Sequence, residues 1–332
     1  MTGLEQYWYR LSPLHLILLP ISLFFCALSA LRRLLYRIRV FKSFRLPVPV
    51  VIIGNITVGG TGKTPLTLLI AKELIERGYR PVIISRGYGG NRAQQCVMKS
   101  SLANEVGDEP LLMARRNICP VWVGKDRVAA ARQALLSDPQ CDVLLCDDGL
   151  QHYRLQRDME IAVIDGTRLF GNGHLIPAGP LREPVTRLNT VDAVVINGGQ
   201  DFPKARNQYA MQLSGNIFYN LRHPEMIANA EQFRGLRLHA AAGIGNPQRF
   251  FSYLATMGLS FKPHAFADHH LYKADDLNFD ECDALLLTEK DAVKCTSFAD
   301  DRYWVLRVDA QVDPSLLNHI LRKIATHGCK TS

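Results

Sequence analysis

Short unbroken apolar runs alternate with segments of helical periodicity from residue 49 onward. Residues 49–53, 81–85, 120–123, 141–146, 161–164 and 193–196 are apolar runs without polar alternation, the pattern of strands buried on both faces. Residues 64–77, 109–116 and 127–136 read as helices between them, the first closed by Gly78. This rhythm predicts a largely parallel sheet covered by helices on both sides. It returns after residue 236, with strands at 236–242, 284–288 and 303–308, a helix from Pro247 to about Met257, and a closing helix at 314–325. Residues 171–184, GNGHLIPAGPLREP, are too long and too rich in Gly and Pro for a plain turn, which marks a functional loop or a domain junction. The fold class expected is α/β, with a second, smaller α/β domain. The chain shows no internal repeat.

The N-terminus departs from this rhythm. Residues 11–31 carry no formal charge, and as a helix they would span roughly 30 Å, about one hydrocarbon core. Pro13, His15 and Pro20 weaken the stretch. It predicts a membrane-associated helix, spanning or deeply inserted, with a helix lying in the interface as the alternative. Ala27-Leu28-Ser29 resembles a signal-peptide cleavage site, but removal of the segment for export would part a nucleotide-binding body from cytosolic ATP. The expected units are 1–45 (anchor and basic linker), 46–200 and 201–332.

Charge sharpens this picture. The 332 residues carry a net charge of +8, and residues 1–50 hold seven basic residues (Arg10, Arg32, Arg33, Arg37, Arg39, Lys42, Arg45) against Glu5 alone. Basic residues beside an apolar segment suit anionic lipid headgroups, and by the positive-inside tendency they put the body on the cytoplasmic side. A nucleic-acid partner is not expected, since its binder would spread basic residues over its domains. The cysteines at 26, 96, 119, 141, 146, 282, 295 and 329 form no CxxC pair, consistent with free thiols in a reducing compartment.

The chemistry begins at residues 51–66, VIIGNITVGGTGKTPL. An apolar strand runs into a glycine-rich loop ending in Gly-Lys-Thr and then into a helix, the context of a phosphate-binding loop. Gly59, Gly60 and Gly62 let backbone N–H groups turn toward phosphate oxygens, and the helix adds its positive end. Lys63 would reach the terminal phosphates and Thr64 would ligate Mg²⁺. Thr57 stands where the general pattern has its first glycine, and Val58 where partitioning ATPases have a lysine. The fold expected is therefore of the P-loop NTPase type, with ATP as ligand.

Other constellations are weaker alone. Asp147 and Asp148 end an apolar strand, as metal carboxylates beside a P-loop do, or as an Asx-turn does. Asp108 and Glu109 in Gly-Asp-Glu-Pro read either as a helix cap and first turn or as a general base with a metal or supporting group. In Asp268-His269-His270, a histidine either sits in a loop or supports a carboxylate base; no cysteine is near enough for a zinc pattern. Arg86 and Tyr88 follow the second strand, where site loops lie in such sheets. Arg127 and His152 are candidates of the same kind.

In order along the chain come GNITVGGTGKTP at 54–65, SRGYGG at 85–90, GDEP at 107–110, GKDR at 124–127, DDGLQH at 147–152, PAGPLREP at 177–184 and DHH at 268–270. Together they resemble the tetraacyldisaccharide 4′-kinases of lipid A biosynthesis, whose own pattern includes Thr57. The resemblance implies an inner-membrane kinase with its catalytic domains on the cytoplasmic side and membrane lipids as partners. It implies transfer of the ATP γ-phosphoryl group, with Mg²⁺, to the 4′-hydroxyl of tetraacyldisaccharide 1-phosphate, forming lipid IVA. It further implies that Asp108 is the base, paired with His269, and that Lys63 is catalytic. The ATP loop is then Thr57, Val58, Gly59, Gly60, Thr61, Gly62, Lys63 and Thr64. Thr64, Glu109, Asp147 and Asp148 fall near the metal, and Arg86, Tyr88, Arg127 and His152 on the substrate side. Two other classes compete: a membrane-tethered switch ATPase, against which Val58 argues, and a nucleotide-regulated lipid-binding module.

Overall fold

The computed structural model describes residues 7–9, 14–90, 94–199 and 207–327. Glu5, Arg10, Pro13, Cys329 and the boundary expected at residues 200 and 201 lie outside the described residues, as does the side chain of His15. The chain enters through α1 (Leu14–Arg37), of which Ile17–Arg37 is long and apolar enough to cross a membrane, with a mean hydropathy of 1.7. One face of α1 is docked on the body. Ser22 is buried; its hydroxyl donates to Leu175 O at 2.7 Å and accepts from the Ala178 N–H at 3.0 Å. Arg33 pairs with Glu183 at 3.1 Å. Away from these contacts α1 exposes Ile17, Ile21, Leu23, Phe24, Leu28, Leu31 and Leu34, most of them at spacings of three and four.

The body comprises, in order, β1 (Val50–Gly54), α2 (Lys63–Glu76), β2 (Pro81–Ser85), β3 (Gln95–Cys96), α3 (Ala103–Val106), α4 (Asp108–Arg116), β4 (Val121–Val123), α5 (Arg127–Ser137), β5 (Val143–Asp147), β6 (Met159–Asp165) and β7 (Ala193–Asn197). There follow β8 (Gln208–Asn220), β9 (Ile227–Ala228), β10 (Leu238–Ala242), α6 (Pro247–Thr256), β11 (Phe261–Ala265), β12 (Ala284–Thr288), α7 (Glu289–Cys295), β13 (Tyr303–Val312) and α8 (Ser315–Ala325). The strands make one sheet in the order β11-β10-β12-β13-β8-β7-β6-β1-β5-β2-β4-β3, with β9 on β8. Pairing is parallel except at β3–β4, β8–β9 and β8–β13. β1 explains why apolar runs make such a sheet. Val51 and Ile53 enter one core while Val50 and Ile52 enter the core on the other side, the alternation of a strand with two buried faces. Each such side chain contributes roughly 1.5–3 kcal/mol by burial.

Besides the short β3, α3 and β9, three elements escaped the sequence pattern. β8 runs for 13 residues between β7 and β13 and alternates buried with exposed positions, so its polar residues masked it. β11 is an exposed edge strand, Phe-Lys-Pro-His-Ala, without an apolar run. α7 is short, opens on Glu289, and is capped by Thr288, whose hydroxyl accepts from the Asp291 N–H. α8, from the C-terminal end, returns to pack on β1 and β6, where Leu316, Ile320 and Ile324 share a core with Val51 and Ile161. All seven cysteines among the described residues are free, and Cys141, Cys146 and Cys295 are buried.

Candidate active site

The loop from β1 to α2 lies at the carboxyl ends of the parallel strands, where open α/β sheets bind ligands. Its last turn depends on Gly62. This residue sits at φ 94°, and a Cβ there would collide with Asn197 Nδ2. Asn197 ends β7 and donates to Thr61 O at 2.9 Å, and Asn55 donates to Gly59 O at 3.2 Å. The loop is thus held from both sides before any ligand arrives. Val58 is turned away from the loop interior: its N–H donates to Pro180 O at 2.8 Å, and Thr57 bridges to Leu181. The amide of Val58 is therefore committed, whereas among the described residues no backbone carbonyl takes the amides of Gly59 to Lys63. Arg168 ties this loop to the second half of the chain, donating to Gly60 O at 2.7 Å and Gly245 O at 3.1 Å.

Lys63 is the first residue of α2 and is buried. Its Nζ lies 3.5 Å from Asp148 Oδ1, and Arg182 reaches the same carboxylate at 3.1 Å. Arg127 donates to Asp148 O at 2.6 Å. Burial alone would raise the Asp148 carboxyl, but Lys63, Arg182 and Arg127 outweigh it and hold it well below the usual carboxylate range. Its neighbour Asp147 behaves oppositely. It is fully buried, its Oδ2 has no hydrogen-bond partner among the described residues, and Thr67 Oγ1 lies 3.4 Å from its Oδ1. Burial, with the charge of Glu109 nearby, pushes this carboxyl up to about 7. An unpaired buried carboxylate oxygen beside a phosphate loop suits a divalent cation. Among the described residues no three His, Cys, Asp or Glu side chains cluster to hold an ion; Thr64, phosphate oxygens and water would complete the shell around Asp147.

A second constellation lies beside the first. Asp108 opens α4 and is buried, and its Oδ1 accepts from the Glu109 N–H at 2.9 Å. Its Oδ2 lies 2.9 Å from His269 Nδ1, although 161 residues separate the two. Burial would raise the Asp108 carboxyl, but the hydrogen bond from His269 and the charge of Lys290 hold it below its ordinary value. The same bond to Asp108 raises His269 above its ordinary value. The Tyr88 ring packs 4.9 Å from the His269 ring. His269 at φ 60° and Asp148 at φ 50° both occupy the left-handed region. This costs a non-glycine residue on the order of 1–3 kcal/mol and clusters at functional sites.

Between these groups opens a cavity of 250 Å³ lined by Lys63, Thr64, Glu109 and Lys290 at its polar end and by Ile244, Phe250, Tyr253 and Val308 along an apolar wall. Phosphates fit the polar end and a flat base fits the wall. His152 and Arg86 lie to the side. Burial and nearby Arg127 push His152 down to about 4, and Arg86 is exposed.

The sequence of the Tetraacyldisaccharide-1-P 4′-kinase family matches residues 14–325. The chain belongs to this family. Among individual members, the tetraacyldisaccharide 4′-kinase of Methylobacillus flagellatus is 50% identical over 322 residues, 97% of this chain and 95% of the relative. That of Dechloromonas aromatica is 48% identical over 328 residues, 97% of each. A crystal structure of LpxK from Aquifex aeolicus in complex with ATP is similar at a TM-score of 0.80 and 28% identity, covering 94% of this chain and 99% of that one. The fold expected from the sequence is the fold of this kinase family.

Of the residues expected from the sequence, Lys63, Thr64 and Glu109 line the cavity; Asp148 adjoins it through Lys63, Asp147 lies near Glu109 and Lys63, and Asp108 and His269 adjoin it through Lys290. The structure also brings residues the sequence had not singled out. Lys290 lies among Glu109, Asp268 and His269. Arg182 lies within a quoted motif, and Asn197 directly follows a predicted strand, so each had a faint signal. Lys290 had none, because its partners are remote in sequence.

Proposed function

We propose that this chain transfers the γ-phosphoryl group of ATP to the 4′-hydroxyl of tetraacyldisaccharide 1-phosphate in lipid A biosynthesis. The observation that carries the reading is the Asp108–His269 pair at 2.9 Å, placed beside a cavity floored by Lys63 and Thr64. Simple hydrolysis of ATP has no need of a second acceptor-side base, whereas a sugar hydroxyl gains from one.

The amides of Gly59 to Lys63 and the Lys63 ammonium cradle the triphosphate. Asp148 holds Lys63 in place, its own oxygens being taken by Lys63 and Arg182. Asp147 and Thr64 are the best-suited residues for Mg²⁺, with Glu109 and Asp148 engaged by other cations. When bound, the ion would neutralise charge on the β- and γ-phosphate oxygens. Asp108 accepts the 4′-hydroxyl proton as the sugar oxygen bonds to the γ-phosphorus and ADP departs. His269 orients Asp108. Arg86, Tyr88, Arg127 and His152 form the acceptor side.

The α1 contacts support a location at the membrane surface. Ser22 and Arg33 keep one face on the body, so the exposed apolar residues from Ile17 to Leu34 enter the bilayer while the helix lies along it. The basic residues 32–45 then face anionic headgroups on the cytoplasmic side, and the acyl chains of the acceptor stay in the lipid. The test is to incubate purified protein in detergent with γ-labelled ATP and tetraacyldisaccharide 1-phosphate. Label on the lipid is expected; label found only as free phosphate would overturn the reading in favour of a switch ATPase.

A further inference from the structure

We propose that Lys290 is a positioning residue for this transfer: its ammonium group fixes His269 as the neutral imidazole with its proton on Nδ1, so that Asp108 stays an oriented anion. The second half of the chain delivers Lys290 in the first turn of α7, immediately after β12, and its side chain is largely buried. Its Nζ lies 3.1 Å from Glu109 Oε1, 3.1 Å from Asp268 Oδ1, 3.5 Å from His269 Nε2 and 4.0 Å from Asp108 Oδ2.

The assignment follows from what each group can give. An ammonium has three donors and no acceptor. The imidazole nitrogen that faces it must therefore present a lone pair, which leaves the ring proton on Nδ1. Nδ1 in turn faces Asp108 Oδ2 at 2.9 Å, and an ionised carboxylate only accepts. Both ends of the ring thus specify the same tautomer. A competitor is present: Asp268 Oδ1 lies 3.9 Å from Nε2 and would draw a proton onto it. Lys290 holds that oxygen at 3.1 Å and removes the attraction. A proton on Nε2 would face the ammonium, and the resulting imidazolium would pull charge from Asp108. The ring is held in this setting by its left-handed backbone and by Tyr88. A lysine serving only as an ion pair to Glu109 would leave the tautomer of His269 untouched.

The inference rests on Asp108 being the base, but its test needs no turnover. Long-range ¹H–¹⁵N spectra of the full chain, labelled at histidine and held in detergent near pH 8, report which ring nitrogen carries the proton. The His269 signals are assigned by their loss in His269→Gln. Wild type and Lys290→Arg should show protonated Nδ1 and bare Nε2, whereas Lys290→Met should gain a proton on Nε2. In the transfer assay, Lys290→Met should lose on the order of tenfold in kcat, and little further when added to His269→Ala. Lys290→Arg should restore most of the rate. A wild-type spectrum with protonated Nε2, an unchanged tautomer in Lys290→Met, or losses that multiply in the double variant would each overturn the proposal. If Lys290→Met does not fold, the same comparison is made with Lys290→Gln, whose uncharged side chain should likewise let Nε2 gain a proton. Absence of lipid product from the wild type, by contrast, would break the kinase reading and leave the tautomer as measured.

Discussion

The two halves of the sheet build their parts of the site in different ways. The half around β1 and β5 works with neighbours in sequence: residues 59–64 form one loop, and Asp147 and Asp148 end one strand. The half around β10 and β12 works with side chains gathered from separate loops. Gly245 follows β10, His269 follows β11 and Lys290 follows β12. Backbone amides and a buried lysine suffice to grip phosphate. The Asp108–His269 pair sits in a network whose members come from both halves, with Asp108 and Glu109 from the first and His269, Asp268 and Lys290 from the second. The comparison implies that phosphate binding belongs mainly to the first half, that the apolar wall suited to a base comes from the second, and that transfer needs both.

The largest test concerns the first half. Lys63→Ala should lower transfer on the order of 10³-fold, the scale of a group that stabilises developing phosphoryl charge, and should weaken ATP binding with it. Retained ATP affinity in that variant would break the division at its firmer end. On the other side, His269→Ala should lower transfer up to about 10²-fold, as misorientation of a reacting group does, and leave ATP affinity unchanged by calorimetry. Removal of divalent cation by chelation should stop transfer and added Mg²⁺ restore it. Asp147→Asn should raise the Mg²⁺ needed for half-maximal rate at least about tenfold, and Asp148→Asn less.

The smallest effect is on pH dependence in the first half. Burial and Arg127 hold His152 near 4 in the folded protein against an ordinary 6.5. The unfolded chain therefore binds the extra proton first as pH falls. Stability is fully present above about 6.5 and is lost progressively as pH drops through about 4. His152→Asn should flatten that stretch of the stability curve in chemical denaturation. An unchanged slope would remove His152 from the buried set.

The same contrast explains what could be read from the sequence. The phosphate loop was legible because its glycines, lysine and threonine are adjacent and its flanking strand is an unbroken apolar run. The parallel sheet was legible for the same reason. β8 was not, since a long strand that alternates buried with exposed residues carries polar side chains throughout. The pairing of Asp108 with His269 had no local signal and came from resemblance to a family. Lys290 was invisible, because Glu109 is 181 residues away and the surrounding Thr-Glu-Lys-Asp reads as an ordinary helix start. The resemblance counts Val58 in the ATP loop; its amide donates to Pro180 O in the 177–184 segment, a contact that no spacing rule contains.

The account turns on Asp108 as the group that makes this site a transferase. The most direct measurement compares Asp108→Ala with wild type in single-turnover transfer to the lipid acceptor and in ATP binding, on the same preparation. Loss of transfer on the order of 10²–10⁴-fold with ATP affinity unchanged is the predicted result. A matched loss of ATP affinity would contradict it and make Asp108 part of the nucleotide or metal site.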